Sequence, residues 1–490
     1  MASKQEIINS RKIKLEILQN SGMNPFTAIT KRTHTLNETI TNFETLESSQ
    51  QEIVLAGRVM ALRGQGGILF IVLSDGTAEF QTVLKKDEIE ETIFDLFVET
   101  IDVSDFIEVS GKVFITKRGE KSILISTWRI LTKSLMPLPD SWYGLSDEEE
   151  QLRKRYLSLA IDPQMRAMFA RRSAFWNSSR NFFLSRGFME VETPTLEVTT
   201  GGAEANPFKS YHKNYDIDVY LRISVGELWQ KRLMAGMIPK TFEIGRVYRN
   251  EGSSPDHLQE FTNLEFYESY SDYKKGMKMV RDLYITIATE VYGTTKFESK
   301  GHTFDFSHEW PEIDYADEIK NRTGIDIFES SDSDILNTLK ELAVKFEGTT
   351  RERMIDSLWK YCRKQISGPA FLVHHPVLVS PLSKRLESDP RKTERFQPII
   401  AGTEVGNGFS ELNDPIDQRQ RFEDQQQLIE RGDDEAMMPE WEFVDMLEYG
   451  MPPTCGFGFG ERLFAILEGK TLRDVTLFPL VKPKIENREE

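Results

Sequence analysis

Five short runs between residues 53 and 133 alternate apolar and polar positions, and turn signals such as Ser74-Asp75-Gly76 separate them. This period of two predicts half-buried strands. A helical pattern over 88–98 separates the third run from the fourth. A helix after the third of five strands is the order of an OB-fold, a small barrel that often binds oligonucleotides. The predicted strands cover 53–62, 68–73, 78–84, 106–115 and 122–131.

From residue 166 onward the apolar spacing predicts a long amphipathic helix and then antiparallel strands. A hairpin is predicted over 242–267, with a polar loop at 249–259 between its strands. More strands follow between 371 and 415, and a glycine-rich strand leads into a last helix at Arg462. The patterns therefore predict an α+β chain, with an N-terminal OB-fold β-barrel and a larger domain built on an antiparallel β-sheet flanked by helices.

Shifts in composition set the expected domain boundaries. A proline-rich stretch, LMPLPDSWYGL, indicates a linker. Several helical patterns without candidate chemistry indicate an insertion in the second domain. The predicted parts are a helical lead-in at 1–50, the barrel at 51–135, the linker at 136–165 and the second domain at 166–490, with its insertion at about 290–370.

Composition restricts the protein class. The chain has 490 residues, 39% hydrophobic and 28% charged, which is typical of a globular protein with two or three domains. No apolar run is long enough to span a membrane, and the first residues lack a signal core. Cys362 and Cys455 lie far apart, so we expect no disulfide framework and a cytoplasmic location. The net charge of −17 opposes nucleic-acid binding on average, but a local basic path remains possible.

The predicted hairpin concentrates charged groups. Arg249 can clamp a phosphate through its planar guanidinium, and Glu251 can accept from an amino group. The hairpin is expected to bring Arg249, Glu251, Glu260, Glu265 and Tyr267 near one another. That composition suits a binding site better than an apolar core. An ordinary solvated hairpin with alternating charges is the alternative at this point.

The hairpin phrase RNEG, followed by His257 and EFTNLEFY, resembles motif 2 of class II aminoacyl-tRNA synthetases, and most of all the lysyl version. The helix and strand at 166–196 resemble motif 1, which forms the dimer interface of that class. GFGFGER, ending at Arg462, resembles motif 3. The barrel resembles the anticodon-binding domain of class IIb enzymes. The order of the three motifs makes the resemblance specific, and it spans nearly the whole chain.

The resemblance implies a lysine–tRNA ligase that uses ATP, Mg²⁺, L-lysine and tRNA(Lys), and that forms a homodimer. Arg249 and Arg462 would carry catalysis by binding phosphates, with Phe261 and Arg462 on opposite faces of the adenine. ATP-binding residues would be Arg249, Glu251, His257, Phe261, Glu404 and Arg462. Metal ligands would be Glu404 and Gln397. Lysine-binding residues would be Gly202, Glu227, Arg249, Glu265, Tyr267, Asn407, Phe409 and Glu411.

Three positions in the barrel would bind the anticodon. In the resembled family, Phe70 stacks on the central base, while Gln81 and Glu120 read base edges. By composition alone, an aromatic residue in the middle of a strand belongs to the core. Exposure of Phe70 therefore separates the two interpretations.

The chain also departs from the family pattern. Gln397 stands where the lysyl enzymes usually have Glu, which leaves the number of Mg²⁺ ions open. Val225-Gly226 makes the path to Glu227 one residue longer. Glu461 belongs to a shorter motif 3 that aspartyl enzymes also have.

Three other functions stay open at this point. An aspartyl or asparaginyl synthetase would need cationic groups for its substrate, whereas this pocket is expected to gather Glu227, Glu265 and Glu411. A paralogue that lysylates a protein would lack the barrel. A catalytically inactive RNA-binding scaffold would have no need of Arg249 and Arg462. Glu404 and Glu411 lie seven residues apart, and we expect the glycines between them to kink the strand so that both face one cavity.

Overall fold

A computed structural model of the chain describes residues 3–139, 147–202, 205–252, 254–346, 348, 350–431 and 437–483. Two units divide the chain, Met1–Pro163 and Gln164–Glu490. The helices of the first unit are α1 (Lys4–Asn20), α2 (Leu36–Thr41), α3 (Phe43–Ser49), α4 (Glu91–Thr100), α5 (Glu148–Arg153) and α6 (Arg155–Ile161). Its strands are β1 (Ile53–Gln65), β2 (Ile68–Ser74), β3 (Glu79–Lys85), β4 (Phe106–Ile115) and β5 (Lys121–Thr132).

The five strands of the first unit close into a barrel in the order β1–β2–β3–β5–β4. Alternate residues of β2 face inward, so Leu69, Ile71 and Leu73 are buried. The helix α4 follows the third strand, and Phe94 and Phe97 join the barrel core. This is the topology that the alternating pattern predicts.

The second unit contains the remaining elements. Its helices, with α7 starting one residue before it, are α7 (Pro163–Leu184), α8 (Glu227–Ala235), α9 (Tyr273–Ile287), α10 (Tyr315–Thr323), α11 (Asp332–Glu341), α12 (Arg351–Arg363), α13 (Pro415–Glu430), α14 (Trp441–Glu448) and α15 (Arg462–Leu467). Its strands are β6 (Met189–Glu190), β7 (Leu196–Glu197), β8 (Lys209–His212), β9 (Ile217–Leu221), β10 (Lys240–Tyr248), β11 (Glu260–Ser269), β12 (Lys296–Ser299), β13 (His302–Asp305), β14 (Glu312–Asp314), β15 (Ala370–Val373), β16 (Arg385–Leu386), β17 (Asp389–Thr393), β18 (Arg395–Ile400), β19 (Thr403–Glu404), β20 (Asn407–Ser410) and β21 (Thr454–Gly460).

A nine-stranded sheet organises this unit in the order β14–β15–β18–β20–β21–β11–β10–β6, with β19 paired to β18. The pairs from β15 to β10 are antiparallel, and β6 and β14 are parallel to their neighbours. Helices α7 and α9 pack on one face of the sheet through a layer of aromatic side chains. Phe183 and Tyr284 of the helices contact Phe266 and Phe457 of the strands. The predicted fold class is thereby confirmed.

Helices α10, α11 and α12 lie between β14 and β15, within the range of about 290–370 for which the sequence predicts an insertion. They bury their own core, which includes Ile319, Leu339 and Trp359. Leu372 of β15 belongs to the same core, so the insertion is anchored on the edge of the sheet. Within the described ranges, no helix combines the length and the apolar character needed to cross a membrane.

Candidate active site

One face of the central strands opens into a cavity of about 570 Å³, a volume typical of small-molecule sites. Phe261, Asn263, Glu265 and Tyr267 line it because alternate residues of β11 point to the same face. Glu260 lies out of this phase, and the prediction that it joins the cluster is wrong. Its exposed side chain instead pairs with Arg246 at 2.6 Å.

Every residue that the sequence predicts for ATP, lysine or metal lines this one cavity. They are Gly202, Glu227, Arg249, Glu251, His257, Phe261, Glu265, Tyr267, Gln397, Glu404, Asn407, Phe409, Glu411 and Arg462. Glu404 and Glu411 share the cavity because Glu404 ends the short strand β19, while β20 begins afresh at Asn407. The expected break at the intervening glycine is therefore present.

Glu265 is a buried carboxylate that the hairpin holds firmly. Its Oε1 accepts from the Val225 backbone N–H at 2.8 Å and from Asn263 Nδ2 at 3.1 Å. Its Oε2 accepts from the Tyr267 hydroxyl at 3.1 Å. Burial raises the pKa of Glu265 to about 7, and the nearby Glu227 charge adds to that rise.

Two further carboxylates, Glu227 and Glu411, are buried in the same end of the cavity. The sequence predicts both, but it gives no indication of the cation between them. Lys231 Nζ lies 2.9 Å from Glu227 Oε1 and 2.6 Å from Glu411 Oε2. The spacing of four residues between Glu227 and Lys231 on α8 is a signal that could have found the first contact. The second contact depends on tertiary structure.

The extra residue before Glu227 is accommodated by a left-handed glycine. Gly226 caps α8 at φ +67°, and a Cβ there would lie 2.1 Å from Thr193 Oγ1. This turn leaves the Val225 N–H free to donate to Glu265. The extra residue therefore does not displace Glu227 from the cavity. The Val225-Gly226 segment that contains it contributes a hydrogen-bond donor to the acidic pocket.

Two guanidiniums lie toward the polar loop of the hairpin. Arg249 Nη2 donates to the Ile223 carbonyl at 3.4 Å, and its guanidinium lies 5.4 Å from the centre of the Phe261 ring. Arg462 Nη1 donates to the Glu404 carbonyl at 3.5 Å. Among the described residues neither arginine forms an ion pair, and burial lowers the pKa of both. Partly desolvated guanidiniums with spare donors suit anionic ligands.

The predicted metal ligands are occupied by protein groups that sequence reasoning missed. Glu404 accepts from the Trp359 indole N–H and pairs with Arg363 at 2.8 Å. Gln397 Oε1 lies 2.9 Å from His375 Nε2. In the part of the chain that the structure describes, no three acidic or histidine side chains cluster as a metal cage. A Mg²⁺ ion here would combine one or two of these protein oxygens with phosphate oxygens and water, as Mg²⁺ usually does.

Glu461 connects elements of the fold through an ion pair and a hydrogen bond. Its carboxylate pairs with Arg172 of α7, lies 3.5 Å from Arg246, and accepts from the Thr262 N–H at 2.9 Å. It therefore fastens the helix to the hairpin. A difference at this position does not by itself change the chemistry of the acidic pocket.

The barrel carries a separate candidate surface. Phe70 is 39% exposed on the outer face of β2, so the core interpretation of this residue is wrong. Gln81 lies on the neighbouring strand β3, and its Nε2 donates to Ser122 Oγ at 2.7 Å. Glu120 is exposed in the turn that leads into β5, two residues before Ser122. An exposed aromatic beside polar groups is the composition of a base-stacking surface.

Comparison with known proteins agrees with this geometry. The family model "tRNA synthetases class II (D, K and N)" matches residues 147–482, and the model "OB-fold nucleic acid binding domain" matches residues 53–131. A lysine–tRNA ligase of Thermotoga maritima is 40% identical over 99% of this chain and 98% of its own. That of Halalkalibacterium halodurans is 42% identical over 98% and 97%. That of Roseiflexus sp. is 40% identical over 98% and 99%.

Gly456 provides a test of how tightly the acidic pocket is packed. A Cβ at this position would lie 2.3 Å from Glu411 Oε1 and 2.4 Å from Tyr267 Cε1. We expect Gly456→Ala to lower the free energy of unfolding by ~1–3 kcal/mol, as overpacking does. Urea denaturation followed by tryptophan fluorescence measures this. Gly252→Ala, which meets nothing within 4 Å, is the matched control. Equal stability of the two variants would contradict the described packing.

Proposed function

Because the chain belongs to the class II tRNA synthetases of the D, K and N group, we propose that it is a lysine–tRNA ligase. It activates L-lysine with ATP and transfers the lysyl group to the 3′ end of tRNA(Lys). The observation that carries this proposal is the acidic end of the cavity, where Glu227, Glu265 and Glu411 are all buried. The names and full-length coverage of the curated relatives support the same conclusion.

Charge explains the choice of amino acid. Glu227 and Glu411 share a single internal ammonium, that of Lys231, and Glu265 has no ion pair among the described residues, so the three carboxylates are short of two positive charges when all are ionised. Lysine brings two ammonium groups. A neutral or acidic amino acid would leave a buried carboxylate unpaired, at a cost of ~3–5 kcal/mol.

The other functions have weaker support. Aspartate or asparagine would need a free cation in the pocket, but Lys231 is already paired with two carboxylates. A protein-lysylating paralogue would have no use for the barrel and its exposed Phe70. A scaffold without catalysis would not require Arg249 and Arg462 in the same cavity.

The first step is an in-line attack by a lysine carboxylate oxygen on the α-phosphorus of ATP, with diphosphate as the leaving group. The nucleophile is already an anion, so no general base is required. Positioning and charge neutralisation carry the step. Arg249 binds the α-phosphate and the lysine carboxylate, and Arg462 binds the γ-phosphate. The adenine lies between Phe261 and Arg462.

Other residues of the cavity orient the two substrates. Glu251 accepts from the adenine amino group, and His257 lies in the same loop, toward the phosphates. Glu227 and the backbone at Gly202 hold the α-ammonium. A Cβ on Gly202 would lie 3.1 Å from Glu227 Oε2, so this loop closely approaches that carboxylate. Glu411 and Tyr267 meet the side-chain ammonium, while Glu265 stays close behind, and Asn407 and Phe409 line the path of the side chain.

The second step transfers the lysyl group to a terminal ribose hydroxyl, with AMP leaving.

Bound Mg²⁺ would neutralise phosphate charge, and Glu404, with the amide of Gln397, would hold it. Glu404 pairs with Arg363 and Gln397 Oε1 lies near His375 Nε2, so both groups are held in place by neighbouring side chains. Phe70, Gln81 and Glu120 would bind the anticodon.

We also propose a homodimer in the cytoplasm. Leu184, Met189 and Leu196 expose large apolar side chains in the helix-and-strand segment that resembles motif 1, and Val198 does so two residues after it. Such exposure is typical of surfaces that become covered. The two cysteines that the structure describes are unbridged and buried, which supports a reducing compartment.

ATP–diphosphate exchange with each standard amino acid in turn tests the proposed substrate. We expect lysine to support exchange and every neutral or acidic amino acid to fall below it by at least about a hundredfold. Exchange with aspartate or asparagine instead of lysine would show that the pocket has been assigned to the wrong substrate.

Arg249→Ala tests the first step. The variant should lose about 10²–10³ in the rate of exchange, because a charge that stabilises the transition state is gone. Its affinity for tRNA(Lys), measured by filter binding, should stay near that of the wild type. Lys240→Ala is the matched control, because Lys240 lies on the same hairpin but pairs with Glu268 at 2.8 Å and does not line the cavity. Parallel loss of exchange and tRNA binding in Arg249→Ala would indicate misfolding.

Phe70→Ala tests the barrel surface. Loss of one stacked base costs ~1–3 kcal/mol, so we expect the KM for tRNA(Lys) to rise about 5- to 150-fold while amino-acid activation is unchanged. Val98→Ala on α4 removes a side chain that is 52% exposed and serves as the control. An unchanged KM for tRNA would remove Phe70 from the anticodon site.

A further inference from the structure

The acidic end of the cavity contains an ammonium group of its own. Lys231 is 1% exposed, and Glu227 and Glu411 lie within 2.9 Å and 2.6 Å of its Nζ. The ring centres of Phe409 and Phe443 lie 5.2 Å and 5.8 Å from the same nitrogen. Lysine side chains are almost never fully buried unless they are paired. The carboxylates and ring faces therefore replace the water that this ammonium has lost.

Glu411 keeps unused acceptor capacity beside Lys231. The ammonium lies 2.6 Å from Glu411 Oε2. The other carboxylate oxygen, Oε1, is buried and accepts no hydrogen bond from the residues that the structure describes. An ionised carboxylate can accept about four. A fully buried carboxylate that lines a cavity and retains acceptors is prepared for a donor that arrives with a ligand.

The charges in this region can be counted. Glu227, Glu265 and Glu411 contribute three negative charges when they are ionised, and Lys231 contributes one positive charge. Two negative charges remain, which equals the number of ammonium groups on a diamino acid. Without Lys231 the pocket would hold three carboxylates against two ammonium groups, and one carboxylate would take up a proton.

We propose that Lys231 is a positioning residue for the substrate side chain, because it favours the ionised form of Glu411 and, with all three carboxylates ionised, leaves the pocket short of two positive charges. The inference rests on the proposed function and names the residue that sets its charge selectivity. Lys231 acts through Glu411 and does not itself touch the reacting atoms.

The proposal predicts the direction in which kcat/KM for lysine changes with pH. Burial raises the pKa of Glu411, and the Lys231 ammonium opposes that rise. Only the ionised form of Glu411 pairs with the substrate ammonium, so kcat/KM for lysine increases as pH rises through this pKa. Removal of Lys231 raises the pKa further and moves the inflection to higher pH.

Changing Lys231 removes its ion pairs with Glu227 and Glu411 together. Glu265 has a pKa raised to about 7 by burial, but its contacts to Val225, Asn263 and Tyr267 remain in place. A difference between the two profiles therefore reports the loss of the Lys231 charge beside Glu227 and Glu411. The groups that face Glu411 are Lys231 and Glu227 on α8, Glu265 and Tyr267 on β11, and Cys455 on β21.

The experiment is a pH profile of kcat/KM for lysine, measured by ATP–diphosphate exchange with the full-length protein. In Lys231→Met we expect the lower inflection to move by about one pH unit or more toward alkaline values. At pH 7 the KM for lysine should rise about tenfold or more, with the KM for ATP unchanged. Lys231→Arg keeps the charge and should keep the inflection.

Two further variants make the test decisive. Lys231→Gln keeps hydrogen-bond donors but removes the charge, and it replaces Lys231→Met if that variant does not fold. It should show the same displaced inflection. Lys240→Met is the control, since Lys240 pairs with Glu268 at 2.8 Å and does not line the cavity. Its profile should follow that of the wild type.

The outcomes separate this inference from the proposed function. If the wild type shows no lysine-dependent exchange, the proposed function is overturned. If the wild type exchanges with lysine but the uncharged Lys231 variants keep the wild-type inflection, Lys231 has a structural role only. A displaced inflection in Lys231→Arg as well would show that shape, and not charge, is the property that matters.

Discussion

Burial of like charges at one end of a cavity is the constraint on which the rest of the site depends. Glu227, Glu265 and Glu411 are each at most 8% exposed. Carboxylates with so little water repel one another and tend to take up protons. The fold compensates them in part, with the Val225 N–H on one and the Lys231 ammonium on the other two. These groups do not neutralise all three carboxylates. The positive charge that the pocket still lacks is the charge that lysine, the proposed substrate, would bring.

The sheet separates this polar end from the core by the alternation of its strands. On β11, Phe266 faces the aromatic layer, whereas Glu265 and Tyr267 face the cavity. On β21, Phe457 and Phe459 belong to the core, and the glycines that alternate with them leave room on the other side. The close approach at Gly456 shows that this room is used fully, since the carboxylate and ring there leave no space for a methyl group. The alternation of side chains along β11 and β21 thus places core residues on one face of the sheet and the residues of the acidic pocket on the other.

Much of this could be predicted from the sequence, because local patterns determine it. Period-two alternation gave the barrel strands and the hairpin within a few residues. The same alternation, followed more strictly, would have placed Glu260 with Arg246 on the face of the sheet opposite the cavity. Lys231 and Arg363 were missed for a different reason. Each lies on a helix, and each meets a carboxylate far away in the chain, at Glu411 and Glu404. Nothing in the local spacing encodes such contacts, since they exist only once the helices are packed on the sheet.

The central claim is that buried carboxylates select a side-chain ammonium, and direct binding tests it most simply. Calorimetric titration of the wild-type protein with lysine and with norleucine compares two ligands whose side chains differ in that ammonium. We predict that norleucine binds at least about 150-fold more weakly, because its methyl group cannot donate to the buried Glu411 Oε1 and leaves the acidic pocket short of one positive charge. Affinities within a few-fold of each other would show that the acidic cluster does not choose the substrate.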